Sequence, residues 1–404
     1  MVAVAKAPRG NDAAGVPDPS VLIERARQMV PDLIAREAEA IRNRRVPDET
    51  IADFKRAGFF KVLQPRRYGG YAMSPAVYCE IAKTLAEGCM GSAWVYGVVA
   101  VHNWQLPLFH PQAAEDVWCD DPGTLISSSY MPTGKAIRVD GGYRFSGRWA
   151  FSSGSEHCDW VILGANMVAE DGDGKPEPYN FLLPRSDYAI IDTWDTMGLR
   201  PTGSNDIVVE DVFVPDHRVL RERAMFEIDC PGHVSNDAPL YRIPFAQVFN
   251  RTVSTTSIGA LRRALQVFID TTREKRTTYT GQKLAGDPTI QKAVADVMLI
   301  INDLELRLAS DLAELDRRAQ SGDWPIERRA QLGHHTTAMV SRCVEAIDAL
   351  MLFSGGKAIY SGNVIQRAFL DIHCARAHVA NNPFPYARNV GAMAFGMEND
   401  CMDL

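Results

Sequence analysis

No apolar run in the 404-residue sequence is long enough to span a bilayer, which argues against a helical membrane protein. Residues 6–19 also lack the apolar stretch of a signal peptide. Positive charge is not in excess: 43 basic against 50 acidic residues give a net charge of −7, the wrong balance for a nucleic-acid binder. The eight cysteines (79, 89, 119, 158, 230, 343, 374, 401) are scattered and form no Cys-x-x-Cys pair. Neither a zinc site nor a disulfide framework is indicated, and a reducing cytoplasm is the expected compartment. There is no Gly-x-Gly-x-x-Gly strand–helix fingerprint for a dinucleotide. Internal repeats and low-complexity tracts are absent as well. What is left is a soluble globular chain, 46% hydrophobic and 23% charged, with length for two or three structural units.

The densest signal lies between Gly141 and Gly164. Residues 143–151 alternate aromatic and polar side chains, and residues 160–163 form a short apolar run. Both read as half-buried strands. Between them Ser152-Ser153-Gly154 puts two hydroxyls and a flexible backbone at one bend. A planar polar ligand on a sheet edge needs small residues for close approach and donors for its rim. An ordinary hairpin turn needs the same residues, and on this stretch alone the turn is the better reading.

The chain divides by composition. Residues 1–19, rich in Gly, Pro, Asp and Ala without periodicity, read as a disordered lead-in. Residues 20–122 read as helical, with Pro31 a possible kink in the first helix, Gly58 ending the second and further helices at about 74–87 and 92–109. Residues 123–232 read as a β unit of about seven strands, with runs at 125–126, 135–139, 143–151, 160–165, 179–183, 189–193 and 207–214 and a turn at 171–174. Residues 233–404 return to helix, with long segments predicted at 258–278, 288–321, 325–353 and 363–379. Segregated helix–strand–helix blocks point to an α+β fold, not an alternating one.

This order, with several local strings, resembles the acyl-CoA dehydrogenase fold: an N-terminal helical domain, a central β-barrel or sandwich and a C-terminal four-helix bundle. Met197-Gly198-Leu199-Arg200-Pro201-Thr202-Gly203-Ser204, running into residues 210–215, resembles the superfamily's exit from the β domain. Arg276-Thr277-Thr278-Tyr279-Thr280-Gly281 resembles its flavin-phosphate string, and Gly355-Gly356 with Tyr360 its Gly-Gly turn. A dehydrogenase of this fold abstracts a proton with a Glu, and carbon-acid chemistry needs such a base. Here residues 376–381 hold none, and Asp270 is the one carboxylate between Gln247 and Arg273.

The chain more closely resembles the oxygenase components of two-component, flavin-dependent aromatic monooxygenases. The shared strings are Gly91-Ser92-Ala93-Trp94, Val101-His102-Asn103-Trp104-Gln105, Ser127-Ser128-Ser129, Trp149-x-Phe151-Ser152-Ser153-Gly154 with His157, and Asp371-x-His373-x-x-Arg376-Ala377-His378. The resemblance implies reduced flavin (FADH2 or FMNH2) and O2, a separate NAD(P)H-dependent flavin reductase, an aromatic substrate and a homotetramer. It gives Ser153 the bond to the flavin's central ring that stabilises a flavin hydroperoxide, and leaves Ser152 a structural or backbone role. His378 becomes the base that takes a phenolic proton before hydroxylation ortho to the hydroxyl. Leu370, Cys374 and His378, four residues apart, would place it on an apolar helix face. His102 and Ser128 match substrate-contact positions, Trp94 a wall of the flavin site, and Arg276, Gly355 and Gly356 flavin contacts.

Each has a plainer reading. His378, His102 and Trp94 could be core, Ser153 a turn serine, and Arg276 a solvated charge. Ala380 and the lack of a clear substrate-carboxylate arginine (Arg242 is a loose candidate) depart from p-hydroxyphenylacetate hydroxylases. His373 falls on another face from His378, His334-His335 reads as surface, and no metal site is assigned. The alternatives are a nitrogen- or sulfur-oxidising monooxygenase of the same branch, or a dehydrogenase-like flavoenzyme. The missing dinucleotide fingerprint makes a first test: NADH and oxidised flavin should give no turnover with this chain alone. Turnover should start on adding a flavin reductase or chemically reduced flavin, followed as product by chromatography.

Overall fold

A computed structural model describes residues 15–168, 174–278 and 280–399. The expected lead-in therefore lies outside the described residues up to position 14, as do Asp171, Gly172 and Asp173 of the predicted turn. Helix α1 (Pro19–Asn43) opens on Asp18, whose carboxylate accepts the Ser20 N–H, with Pro19 at the first helical position. It runs unbroken through Pro31 and ends where Arg44 turns left-handed. Helix α2 (Asp48–Ala57) is stopped by Gly58 at φ 83°. Then come α3 (Pro75–Ala86), α4 (Met90–Ala100), α5 (His102–Gln105) and α6 (Pro111–Trp118).

Every residue of α4 is buried, as expected of a helix that is apolar all round. The single helix expected through residues 92–109 is instead divided. The α4 helix ends at Ala100, α5 takes one turn, and Leu106–Leu108 is a 3₁₀ turn around Pro107, whose missing N–H cannot continue an α-helical ladder.

The seven strands are β1 (Ile126–Val139), β2 (Gly142–Ser152), β3 (Trp160–Val168), β4 (Pro176–Pro184), β5 (Ala189–Ile191), β6 (Asn205–Pro215) and β7 (Val219–Arg221). Their order is β5-β6-β2-β1-β3-β4-β7, with β1 and β3 parallel and the other pairs antiparallel. The sheet is not closed into a barrel. Ile126 of the expected run 125–126 and the whole run 135–139 belong to one long β1 whose register slips between Ser129 and Gly134. Strand β7 was not anticipated; three residues carry too short a pattern.

One sheet face has its own core, where Phe145 stacks on Phe181 at 4.2 Å beside Trp149, Leu163 and Ile207. The opposite face, with Ile162, Leu182 and Leu220, joins the helical core. Residues alternate across the sheet, so register decides that Ser128, paired with Ile162, which in turn pairs with Leu182, faces the helices.

The C-terminal part contains α7 (Glu222–Glu227), α8 (Phe245–Ser254), α9 (Thr256–Glu274), α10 (Pro288–Ser321), α11 (Ile326–Ser354), α12 (Val364–Arg376) and α13 (Phe384–Ala394). The four long segments expected correspond to α9–α12, while α8 and α13 were not foreseen. Helix α12 stops at Arg376, short of the 379 predicted.

Glu37 of α1 ties the N-terminal helices to the bundle. Its carboxylate is 95% buried and receives Arg263 of α9 through two bonds of 3.0 and 3.1 Å, as well as Arg367 of α12. Removing one partner of a buried ion pair strands the others. Glu37→Ala is therefore expected to cost about 3 kcal/mol of unfolding free energy, read by chemical denaturation. A loss under about 1 kcal/mol would mean that desolvation offsets the pairing.

Candidate active site

Strand β2 ends at Ser152, and the bend that follows is pressed against α4. A Cβ on Gly154 (φ +70°) would sit 2.8 Å from the Val95 side chain, so the approach requires glycine. The Gly154 N–H donates to Thr202 O at 2.8 Å. Ser153 Oγ accepts the Trp94 indole N–H at 3.3 Å and lies 2.7 Å from Ser204 Oγ. Ser204 Oγ is 2.6 Å from Thr202 Oγ1, which donates to Leu199 O at 2.8 Å.

A carbonyl only accepts, so proton counting fixes the direction of the chain. Thr202 gives its one proton to Leu199, Ser204 to Thr202, and Ser153 to Ser204. The Ser153 oxygen keeps a second lone pair for an N–H in the cleft. Reduced flavin carries an N–H on its central ring where oxidised flavin does not, and the bend therefore fits the reduced form. Ser152 Oγ and Ser155 Oγ beside it are buried without a partner, donors of the kind a flavin rim can use.

His378 closes the other side of Trp94, ring edge to ring face at 5.7 Å and 69°. It does not sit on a helix face: it follows the end of α12 and caps a 3₁₀ turn, Val379–Asn381. Its Nδ1 accepts the Ala380 N–H at 3.1 Å. Asn381 pins the turn by donating to Ala375 O at 2.7 Å and Val253 O at 3.1 Å. Burial pushes the His378 imidazole pKa down to about 4, so at neutral pH it carries one ring proton. With Nδ1 engaged as acceptor, that proton is on Nε2. In this tautomer His378 presents an N–H at Nε2 and not a lone pair.

His102, the first residue of α5, has the opposite arrangement. Nδ1 lies 2.7 Å from Ile126 O, an acceptor, so Nδ1 carries the proton. Nε2 lies 2.8 Å from Ser128 Oγ and accepts from it. Burial lowers this pKa also to about 4, leaving a neutral imidazole with its lone pair on Ser128. Trp94 and His102 are eight residues apart on one nearly continuous helical run, about 12 Å along its axis. Ser128, Tyr130, Phe249 and His378 each keep a partly exposed surface.

The structure thus brings Trp94, Ser153 and His378 together, and separately pairs His102 with Ser128. Arg276 and Gly355–Gly356 lie elsewhere. Arg276 is bonded to Gly281 O at 2.7 Å, and its neighbour Lys275 donates to Ser354 O at 2.7 Å beside the Gly355 turn. From that turn to His378 runs the 13-residue α12, about 20 Å long. His373 pairs with Asp348, and His335 with Asp311. Among the described residues no cluster could hold a metal ion.

The family description "Acyl-CoA dehydrogenase, N-terminal domain" matches residues 18–109, and "Acyl-CoA dehydrogenase, C-terminal domain" residues 252–383. The chain is 36% identical over 378 residues to the flavin-dependent monooxygenase, oxygenase subunit HsaA, of Rhodococcus jostii, covering 93% of this chain and 98% of that protein. It is 32% identical to the FADH2-dependent resorcinol hydroxylase oxygenase component of a Rhizobium species, over 96% and 98% of the two chains. The crystal structure of 3-HSA hydroxylase from a Rhodococcus species superposes with a TM-score of 0.90 at 35% identity, covering 96% of this chain and all of that one.

The chain belongs to the flavin-dependent monooxygenase oxygenase components of the acyl-CoA dehydrogenase fold. It is an enzyme of that class, using reduced flavin and O2 on an aromatic compound, with a separate flavin reductase.

Sequence reasoning missed Ser204 and Thr202 as partners of Ser153, although both stand in the string already singled out at 197–204. It also missed Tyr130, two residues beyond Ser128 on the same face of β1. For this oxygenase, Ser153→Ala removes the oxygen that receives the Trp94 N–H and faces the cleft. Folding should survive, with a stability loss of about 1 kcal/mol. Oxygen consumption should be diverted to hydrogen peroxide, with the peroxide-to-product ratio rising roughly tenfold or more. An unchanged ratio would remove Ser153 from the reaction.

Proposed function

We propose that this oxygenase hydroxylates a phenol ortho to its hydroxyl group, and that His102, acting through Ser128, takes the phenolic proton. When bound, reduced flavin supplies the two electrons that let one oxygen atom of O2 enter the ring while the other leaves as water. Ser153 and the Ser152 and Ser155 hydroxyls would hold its ring, with Trp94 as a wall.

The observation that carries the reading is the tautomer of His102. With Nδ1–H held by Ile126 O and Nε2 directed at Ser128 Oγ, a phenol donating to Ser128 is one relay from an accepting ring nitrogen. Losing its proton makes the ring electron-rich where an electrophilic oxygen must add. His378, with its N–H on Nε2, is better suited to donate a hydrogen bond to an oxygen atom in the cleft. A heteroatom-oxidising enzyme would have no use for an acceptor of this kind, and the phenol reading is preferred for that reason.

A homotetramer is the second part of the proposal. Arg276 and the Gly355–Gly356 turn lie at the other end of α12 from His378, so a neighbouring copy would bring them to the flavin. Exposed apolar side chains along the bundle, Leu352, Tyr360 and Phe384 each about 70% or more exposed and Met298, Leu299 and Leu306 on α10, support such packing.

His102→Asn is expected to lower hydroxylation of a phenol by about a hundredfold or more at neutral pH. Activity should recover toward pH ~10, where phenols ionise unaided. His378→Asn should show no such rescue. In the wild type, the depressed pKa of His102 keeps it neutral above about 4, so no acid limb should appear near the ordinary histidine value. Rescue of the His378 variant and not of the His102 variant would return the base role to His378. The measurement is product formation against pH with chemically reduced flavin.

A further inference from the structure

The hydrogen bonds behind Ser153 do not end in the sheet. Leu199 O, which receives the Thr202 hydroxyl at 2.8 Å, also receives the Thr202 N–H at 3.1 Å and the Trp194 indole N–H at 3.0 Å. Three donors converge on one carbonyl, so the place of Leu199 decides the place of Thr202. Thr202 in turn holds the bend twice. Its hydroxyl reaches Ser153 Oγ through Ser204 Oγ, and its carbonyl accepts the Gly154 N–H.

Leu199 is left-handed, at φ 51° and ψ 28°. That conformation is unfavourable for a residue with a side chain and persists where its surroundings impose it. Helix α12 supplies such a restraint. The Leu199 N–H donates to Asp371 Oδ1 at 2.6 Å. A Cβ on Gly198 would collide with Leu370 O, so the Gly198–Leu199 peptide lies directly on the helix. Thr196 Oγ1 donates to Gly198 O at 2.9 Å and holds the same peptide by its other polar atom. Burial pushes the Asp371 pKa up to about 7, and a carboxyl oxygen accepts the Leu199 N–H in either protonation state.

We infer that Asp371 is a positioning residue for Ser153: its bond to Leu199 fixes the Thr202–Ser204 relay, and so where Ser153 Oγ stands in the cleft. Asp371 precedes His378 by seven residues. Helix α12 and the turn that follows it thus set both sides of the Trp94 cleft, His378 directly and Ser153 through Leu199. The inference rests on the part given to Ser153 above.

The test loads the full chain, in excess, with chemically reduced FAD, mixes it with oxygenated buffer without an aromatic compound, and follows hydrogen peroxide release. Asp371→Ala removes the acceptor and should speed release on the order of tenfold, as expected when a contact is displaced from a distance. Asp371→Asn keeps an oxygen in the same place and should restore the wild-type rate. Gly198→Ala pushes the peptide off α12 with Asp371 intact and should speed release as Asp371→Ala does. In a Ser153→Ala background Asp371→Ala should add nothing, because the two act in one row. Glu37→Ala, which loosens α12 through Arg367 and leaves the Leu199 bond alone, should lower stability without speeding release.

Wild-type release in both Asp371→Ala and Gly198→Ala would overturn the inference, as would additivity with Ser153→Ala. Equal acceleration by Glu37→Ala would reduce Asp371 to general support of the fold, and equal acceleration by Asp371→Asn would make its charge and not its bond the cause. Failure of the Ser153 reading looks different: Ser153→Ala itself then releases peroxide at the wild-type rate, and the route from Asp371 falls with it.

Discussion

Helix α4 has no face that water can wet, and the position of everything around it follows from that constraint. Its eleven residues, Met90 to Ala100, are all buried, so a neighbour must cover each side of the cylinder. The sheet covers one side through the Gly154 bend, where there is no room for a Cβ against Val95. Bundle helices cover another: a Cβ on Gly97 would lie 3.2 Å from Thr252 of α8. With the helix fixed on all sides, the side chains along it are held at set depths in the interface between sheet and bundle. Trp94 meets Ser153 and His378 near one end, and His102 meets Ser128 just beyond the other. The site is therefore a by-product of burying an apolar helix between two layers that supply polar groups from elsewhere in the chain.

Desolvation then sets the chemistry. Burial holds both His102 and His378 neutral well below the ordinary histidine range. The two neutral imidazoles are nevertheless not equivalent. A backbone carbonyl holds the Nδ1 proton of His102 and leaves Nε2 to accept. A backbone N–H occupies Nδ1 of His378 and leaves Nε2 to donate. One main-chain contact on each ring separates an acceptor from a donor. The same logic governs Ser153, whose proton is committed along Ser204 and Thr202 to a carbonyl, leaving an oxygen that receives.

Two carboxylates serve as structural ties instead. Glu37, with Arg263 and Arg367, joins α1 to the bundle, and Asp371 accepts the Leu199 N–H at 2.6 Å. Both hold elements in place around the site. Asp371 is the clearer case: through Leu199 it fixes the loop whose Thr202 and Ser204 terminate the Ser153 chain, and it thereby links α12 to the sheet-edge bend.

The sequence by itself determined the order of helical, β and helical blocks, because hydrophobic period and turn residues are local properties that survive without partners. It also pointed to the short strings from which the candidate site is built, since Ser152-Ser153-Gly154, His102, Ser128 and His378 are unusual enough to be recognised as a set. It misjudged elements whose limits depend on neighbours: the break at Val101, the stop of α12 before His378, and the three-residue β7. It gave His378 the base role through the resemblance, and it could not read the tautomers of the two histidines. The contacts that decide them join His102 to Ile126 and Ser128 across 24 and 26 residues, and hold the His378 turn to Val253 across 128. A tautomer is set by which carbonyl or N–H the fold brings to a ring nitrogen, and no local pattern contains that information; only tertiary structure decided it.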